Sequence, residues 1–418
     1  MVRRGLALAC LLIVACVPAT NPDEVSLIEP GLRFATTFGD ADGNRYVAGA
    51  GSIQPDDYVE QTVSGTPAWL VGIADGSDVV LVMADTDGEL SGFTIGADGV
   101  SNRELNLSMA APGTPPALVA GQGVLVVLPP AASGSPDSNT LALESGGLAF
   151  VGLDGAMIVT DEAGNRRIEL NALTDGRLTL SSDRRLGVLV DPTDRYDHGV
   201  LGDRFEASGV SFVSLDTQEV VGELVLESDV FEGMVGMFAD LDGDGVDEYI
   251  MTVSNAETGA RLVVLDDNAE LVAESDPIGQ GGRWRHQIAA AAFGQNGAVE
   301  LVDVRTPHIG GVVEYFAMRK GRLELVASIE GYSSHSIRSR NLDMAVAFDI
   351  DGDGQVELVV PNEPKDGLAV LRRVGDTVEV VMTLPLGGVL STNLVAVEVS
   401  GHVVLAAGTA DGRLLIWR

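Results

Sequence analysis

Two short loops, 240–248 and 349–357, carry the densest set of potential metal ligands in the chain, and both have the pattern D-x-D-G-D-G-x-x-E. Carboxylates at positions 1, 3 and 5 converge on one point only when the backbone curls tightly, and glycines at positions 4 and 6 permit that curl. A main-chain carbonyl at position 7 and a carboxylate at position 9 complete a shell of hard oxygen ligands. The spacing therefore predicts two Ca²⁺ sites.

The predicted calcium ligands are Asp240, Asp242, Asp244, Val246 and Glu248 in the first loop and Asp349, Asp351, Asp353, Gln355 and Glu357 in the second. The alternative is a solvated acidic turn, but the other Asp-Gly turns of the chain lack this spacing. Four carboxylates this close together repel one another without a cation. An EF-hand is disfavoured because position 12 is Met251 or Val360 instead of Glu. Mg²⁺ fits worse, since it retains its waters and requires a strict octahedron.

Basic and aromatic residues recur just before two of the repeated segments. Arg283 and Arg338 stand 55 residues apart, and Arg285 and Arg340 share that offset. Arginines gathered on one face of an acidic protein can hold a carboxylate or an acidic sugar. The alternative is that they neutralise neighbouring aspartates within the fold. The predicted ligand face comprises Arg283, Trp284, Arg285, His286, His335, Arg338 and Arg340.

Nothing in the sequence resembles a known set of catalytic residues. Nucleophile elbows, phosphate-binding loops and histidine-rich metal spacings are absent from it. A hydrolase that uses a pair of acidic residues stays open, because spacing alone cannot select such a pair among so many acids. The sequence therefore favours a protein that binds over one that catalyses.

A repeat of about fifty residues organises the chain. Phe238, Phe293 and Phe348 stand 55 residues apart, and each ends an apolar run rich in small residues. Alternating strands and turns follow each one, and no amphipathic helix is evident. This pattern predicts an all-β protein, a β-propeller of seven four-stranded blades with eight as the alternative. The last unit ends after its third strand, so residues 32–38 or 58–63 are expected to close the ring.

The acidic loops, preceded by Phe-Ala-Asp or Phe-Asp, resemble the FG-GAP/VCBS repeats of integrin α-subunit propellers and many bacterial surface proteins. The resemblance covers about 235–418 and implies a calcium-stabilised propeller used for adhesion or recognition. The unit at Phe293 has Gly-Gln-Asn-Gly where the acids should stand, so a metal is not expected there. Residues 40–44 look like a decayed copy of the loop, with Arg45 and Tyr46 in place of further ligands.

The net charge of −35 argues against nucleic acid as a partner, because a grip on phosphate needs clustered Lys and Arg. At the N terminus, Arg3 and Arg4 precede a short apolar run that ends in Ala15-Cys16. This start predicts a secretory signal over 1–16 with lipidation of Cys16, a linker over 17–31 and the propeller over 32–418. The alternative is an ordinary signal peptide that is cut near Ala19.

These observations predict a non-enzymatic, calcium-stabilised lipoprotein of the bacterial cell envelope, anchored to the membrane through Cys16. It would reside at the outer membrane, in the periplasm or on the cell surface. It would serve as a scaffold for adhesion or interaction that recognises a protein or a glycan. One alternative is an envelope-assembly scaffold, and another is a propeller hydrolase or lyase that acts on an anionic polymer.

Overall fold

The computed structural model describes residues 33–121, 123–130, 132–143, 146–161, 164–199, 201 and 204–418. The predicted signal segment with Cys16 and the predicted linker lie outside these residues. Throughout the described ranges the chain forms strands and turns, and the one helical element is a 3₁₀ turn at Gln295–Gly297. No helix in the described part of the chain is long and apolar enough to cross a membrane.

Most strands form four-stranded antiparallel units, which we number as sheets in chain order. The N-terminal segment first supplies three short strands, β1 Arg33–Ala35, β2 Tyr46–Ala50 and β3 Tyr58–Thr62. Sheet 1 follows with β4 Pro67–Asp75, β5 Asp78–Asp85, β6 Leu90–Gly96 and β7 Gly99–Arg103. In sheet 2, β8 Ala117–Gly121 lies between β1 and β9 Gly123–Val127, so this sheet has three described strands.

The middle of the chain continues the same antiparallel pattern. Sheet 3 comprises β10 Thr140–Ala142, β11 Leu148–Val151, β12 Ala156–Asp161 and β13 Gly164–Glu169. Sheet 4 comprises β14 Thr179–Leu180, β15 Arg185–Thr193, β16 Glu206–Ser214 and β17 Glu219–Val225, and the short strand β18 Val230–Phe231 links it to the next sheet. Sheet 5 comprises β19 Met237–Ala239, β20 Glu248–Ser254, β21 Arg261–Leu265 and β22 Leu271–Glu274.

Three further sheets complete the chain. Sheet 6 comprises β23 Arg285–Ala291, β24 Glu300–Arg305, β25 Val312–Arg319 and β26 Arg322–Glu330. Sheet 7 comprises β27 Val346–Asp349, β28 Glu357–Pro361, β29 Gly367–Val374 and β30 Thr377–Pro385. Sheet 8 comprises β31 Val395–Val399, β32 His402–Thr409 and β33 Arg413–Trp417, with β3 as its fourth strand. Six sheets thus have four described strands, sheet 2 has three and sheet 7 has five once β2 joins it, whereas the blade number of the ring stays a prediction.

Consecutive sheets pack face to face, and the last sheet packs on the first. Ile250 of sheet 5 and Leu301 of sheet 6 belong to one buried cluster, and Leu70 of sheet 1 shares another with Leu414 of sheet 8. The alternation of apolar residues along each strand supplies these interfaces. Small residues such as Ala289 stand on the inner strands, where the blades converge. The fold is therefore an all-β propeller, as the repeat predicted.

Strand β3 closes the ring, as expected for one of the two predicted segments. It pairs antiparallel with β33 from Tyr58 opposite Trp417 to Thr62 opposite Arg413. Trp417 is fully buried, and its ring lies 5.6 Å from that of Tyr58. The other predicted donor, 32–38, contributes β1, which pairs with β8 of sheet 2.

Between β1 and β3 the chain forms a strap, residues 36–57, that passes through the centre of the ring. Its strand β2 pairs in parallel with β27 and is therefore the innermost strand of sheet 7. The amide of Asn44 bonds to the carbonyl of Ala290 over 2.9 Å. The loop at 40–44, interpreted from the sequence as a decayed copy, therefore packs inside the ring, where Asp42 is half-buried and burial raises the pKa of its carboxyl to about 8.

A buried ionic network secures the strap. Asp343 accepts hydrogen bonds from Arg45 Nη2 over 2.6 Å and from Arg177 Nη1 over 2.7 Å. Thr37 Oγ1 donates to the same carboxylate over 2.8 Å. Burial favours the neutral acid, but the two guanidiniums outweigh it and lower the pKa of Asp343. The network joins the strap to sheet 4 through Arg177 and to the entry of sheet 7 through Asp343.

Candidate functional site

The first acidic loop joins β19 to β20 of sheet 5 and is curled by its own aspartates. Asp240 Oδ1 accepts the N–H of Gly243 over 2.7 Å, and its Oδ2 accepts that of Gly245 over 3.0 Å. The two glycines have φ of 82° and 90°, in the left-handed region that glycine enters without strain. The curl predicted from the glycine spacing is therefore present.

Glu248, the last residue of the first loop, bonds back to the start of the loop. Its Oε2 accepts the N–H of Leu241 over 2.8 Å, and its side chain is buried. Carboxylate oxygens of Asp240, Asp242 and Glu248 lie within 4.8 Å of one another. Burial, helped by the nearby aspartates, raises the pKa of Glu248 to about 7. A divalent cation would remove this repulsion, so the donor set fits calcium.

The second loop joins β27 to β28 of sheet 7 and has the same backbone arrangement. Asp349 accepts the N–H groups of Gly352 and Gly354 over 2.7 and 2.9 Å. Glu357 Oε2 accepts the N–H of Ile350 over 3.0 Å, as Glu248 does in the first loop. Oxygens of Asp349, Asp351 and Asp353 lie within 4.8 Å of one another.

The two loops differ in what faces their carboxylates. Arg372 of β29 bonds to Glu357 Oε1 through Nε over 2.7 Å and to Asp351 Oδ2 through Nη2 over 2.8 Å. Its Nη1 lies 3.1 Å from Asp353 Oδ2. Among the described ion pairs, none involves Asp240, Asp242 or Asp244 of the first loop. The sequence prediction missed Arg372, which a residue-by-residue comparison of the two repeats would have drawn attention to.

The strap is bonded to the second loop and to the strand that precedes the first loop. The N–H of Gly51 bonds to the carbonyl of Asp349 over 2.6 Å, and that of Ile53 bonds to the carbonyl of Ile350 over 3.2 Å. Beside the first loop, the N–H of Phe238 bonds to the carbonyl of Asp42 over 2.9 Å. The acidic loops therefore adjoin the segment that leads to ring closure.

The arginines of the predicted ligand face have different environments. Arg285 is buried, and its Nη1 contacts Asp303 over 2.8 Å and Glu314 over 2.5 Å. Arg340 bonds to Asp175 over 2.9 Å. These two arginines neutralise internal acids, which is the alternative that the sequence left open. Arg283 and Arg338 are exposed.

The aromatic and histidine residues of that face form one packed cluster. Trp284 stacks on His286 with ring centres 4.9 Å apart, and His335 meets the Trp284 ring edge-on at 4.8 Å. Ser334 Oγ bonds to His286 Nδ1 over 2.7 Å. Burial lowers the pKa of His286 and of His335 well below the usual range, so both are neutral at pH 7. The structure thus brings Trp284, His286 and His335 together, but in the interior.

A pocket of about 520 Å³ opens beside this cluster. Its lining combines Arg283 and Trp284 with three residues absent from the predicted face, His198, Arg305 and His308. Glu232 bonds to His198 Nδ1, and this contact contributes to a raised pKa of His198 despite opposing burial. Glu330 is the one acidic side chain among the described lining residues. The sequence offered no signal for this grouping beyond the placement of four of five histidines between 198 and 335.

No protein-family model and no curated protein matches the chain. Among solved structures, it is similar to the quinohemoprotein alcohol dehydrogenase ADHIIG of Pseudomonas putida HK5, with 10% identity and a TM-score of 0.55 over 92% of this chain and 79% of the other. It also matches BBS1N in complex with ARL6DN, with 13% identity and a TM-score of 0.46 over 89% and 93% of the two chains. A chain of the mitotic checkpoint complex matches with 12% identity and a TM-score of 0.46 over 88% and 92%. The likeness to the dehydrogenase supports the propeller fold and carries no activity.

Proposed function

We propose that this protein is a calcium-stabilised recognition scaffold, related to FG-GAP/VCBS propellers, that binds an acidic protein or glycan through the pocket beside Trp284. The observation that carries the proposal is the charge of that pocket. Among the cations of its lining, His198 pairs with Glu232 and Arg305 with Glu314, so Arg283 is the cation left to face the pocket, beside Glu330, the one acid among the described lining residues. A cation that no described acid pairs with, in a chain of net charge −35, attracts anions.

The exposed arginine of the pocket has capacity for a ligand. Arg283 Nη1 bonds to the carbonyl of Ile278 over 3.3 Å, and no described acidic side chain pairs with it. A guanidinium in this state offers further donors to a carboxylate, frequently in a bidentate arrangement. Pockets of a few hundred Å³ suit a small molecule or one residue of a polymer. The ligand therefore presents a carboxylate, on a sugar or on a protein segment.

Calcium has a structural part in this proposal. The first loop would hold the ion through Asp240, Asp242 and Glu248, on the rim of sheet 5, and the bound ion would supply the charge that those carboxylates lack. The chemistry of recognition stays with the pocket. Lipidation at Cys16 would place the scaffold on the bacterial cell envelope, where extended surface polymers and envelope proteins are the accessible partners.

The test compares two exposed arginines near the same face. Binding of Arg283→Gln and Arg338→Gln proteins to an array of acidic and neutral glycans, and to acidic peptides, is measured beside the unmodified protein. Because Arg283 lines the pocket and Arg338 does not, we expect Arg283→Gln to weaken binding to acidic probes at least ten-fold and Arg338→Gln to leave it unchanged. Equal effects of both substitutions, or preference for neutral probes, would overturn the proposal. Recovery of unaltered probe after incubation separates binding from hydrolysis or elimination.

A further inference from the structure

We infer that Arg372 is the resident cation of the second acidic loop, and that this loop secures the ring-closing strap without calcium. The inference rests on the proposed function only for its contrast with the first loop, which is taken to bind calcium. It departs from the sequence prediction that both loops bind the ion. The evidence comes from the contacts of one guanidinium, from a comparison of the two repeats and from the position of the strap.

The guanidinium of Arg372 occupies the side of the loop toward which the ligands converge. Its three nitrogens contact three of the predicted calcium ligands, Asp351, Asp353 and Glu357, at 2.7–3.1 Å. A planar guanidinium with five donors matches several carboxylates at once. A calcium ion needs oxygen lone pairs at 2.3–2.6 Å, so it would have to displace these N–H donors. The guanidinium of Arg372 therefore already supplies the positive charge that balances the carboxylates of the second loop.

The corresponding position in the first repeat has the opposite charge. In sheet 7, Leu358 pairs with Leu371, so Arg372 is the next residue along β29. In sheet 5, Tyr249 follows Glu248 as Leu358 follows Glu357, and it pairs with Leu265. The residue after Leu265 is Asp266. The first repeat thus has an acid at this position, whose Oδ1 accepts the N–H groups of Asn268 and Glu270 in its own turn, and the second repeat has an arginine that reaches the loop.

The second loop is also the one that holds the exit of the strap. The carbonyls of Asp349 and Ile350 accept the N–H groups of Gly51 and Ile53. A Cβ at position 51 would lie 2.5 Å from the carbonyl oxygen of Ile350, so only glycine allows this approach. A few residues later the strap becomes β3, which closes the ring against β33. The geometry of a loop held by Arg372 is therefore linked to ring closure.

Calcium stoichiometry tests the first half of the inference. By isothermal titration of the calcium-depleted protein, we expect one ion per unmodified chain, none in Asp242→Asn and one in Asp351→Asn. Removing the guanidinium in Arg372→Met should free the second set of carboxylates and raise the count to two. Arg319→Met, which removes an exposed arginine paired with Glu324, is the matched control and should retain one. Two ions in the unmodified protein, with one lost in Asp351→Asn, would overturn the inference.

Hydrogen exchange tests the second half. Protection of the Gly51 and Ile53 amides should survive chelation in the unmodified protein and in Arg319→Met. In Arg372→Met these amides should exchange at least ten-fold faster without calcium and recover when calcium is added. Loss of protection on chelation of the unmodified protein would contradict the inference. If no variant binds calcium, the calcium part of the proposed function fails, while fast exchange in Arg372→Met still supports Arg372 as the brace and unchanged exchange refutes it.

Discussion

Arg285 and Arg283 are two residues apart, but their side chains differ in burial. Arg285 is enclosed with Asp303 and Glu314, whereas Arg283 is exposed at the pocket. Burial raises the pKa of Asp303 to about 7, although Arg285 acts to lower it. Sequence spacing treated the two arginines as one binding feature. Burial separates a structural arginine from one that can meet a ligand.

We predict that Arg285→Met destabilises the fold, because it leaves Asp303 buried without its ion-pair partner and leaves Glu314 with Arg305 alone. The loss of a partner from a buried pair costs about 3–5 kcal/mol. Urea unfolding measures the change, and Arg338→Gln is the control, expected within about 0.5 kcal/mol of the unmodified protein because it is exposed. A stability equal to that of the unmodified protein would show that the two acids do not require Arg285.

The curled shape of the acidic loops was predictable from sequence because its hydrogen bonds are local, whereas the calcium ligands stay a prediction. Nine consecutive residues contain the acids, the turn-forming glycines and the closing Glu248 or Glu357. Arg372 was not predicted, because it stands 15 residues after Glu357 and reaches the loop only through the register of β28 on β29. The pocket was missed for a similar reason, since His198 and His308 come from distant parts of the chain.

At the scale of elements, the β19–β20 loop and the β27–β28 loop have nearly the same backbone hydrogen bonds but different counter-charges. In both, the first aspartate accepts two glycine N–H groups and the last glutamate accepts the N–H of the second residue. The two repeats therefore share the turn. They differ in the residue on the neighbouring strand that balances the charge of the loop carboxylates. The same loop motif therefore occurs with a different counter-charge in each repeat.

We predict that chelation lowers the melting temperature through the first loop alone. A ligand at one hundred times its dissociation constant stabilises the folded state by about 2.7 kcal/mol, and that contribution vanishes when the ion is removed. Differential scanning fluorimetry with and without chelator should show the shift in the unmodified protein and in Asp351→Asn. Asp242→Asn should melt at one temperature under both conditions. A chelator effect that persists in Asp242→Asn would assign the ion to another place.

The sequence repeat predicted where strands form, but it did not predict which sheet departs from the four-stranded pattern. The Phe238, Phe293 and Phe348 spacing predicted the inner strands of sheets 5 to 7, and all three side chains are buried between sheets. Sheet 2 departs from the pattern, since its described strands are β8, β9 and the N-terminal β1. Strands β1 and β8 are more than eighty residues apart in the chain, and the folding of the ring brings them together. The local periodicity of the sequence does not predict such a long-range pairing.

At the scale of the whole molecule, the strap connects parts of the ring that the repeats alone leave separate. It runs from β1 of sheet 2 to β3 of sheet 8 and contributes β2 to sheet 7. Between them, Arg45 contacts the carbonyls of Ile288 and Leu342 as well as Asp343. A propeller with separate small interfaces thus gains a common central element. The sequence predicted ring closure by this region, but not its passage through the centre.

The Asp343 network should therefore govern the cooperativity of the whole ring. We predict that Arg45→Met costs about 1.5–3 kcal/mol, the contribution of a hydrogen bond to a charged group, because Asp343 keeps Arg177 as its second buried partner. Asp343→Asn should also destabilise, since Arg45 and Arg177 would face each other without a counter-charge. The double variant should lose less than the sum of the single variants, because the pair acts as one unit.

Urea unfolding followed by Trp fluorescence and by far-ultraviolet circular dichroism measures the free energy of unfolding of each variant, and Arg319→Met again serves as the exposed control. Strictly additive losses, or a single transition unaltered by Arg45→Met, would mean that the sheets hold together without the central ion network.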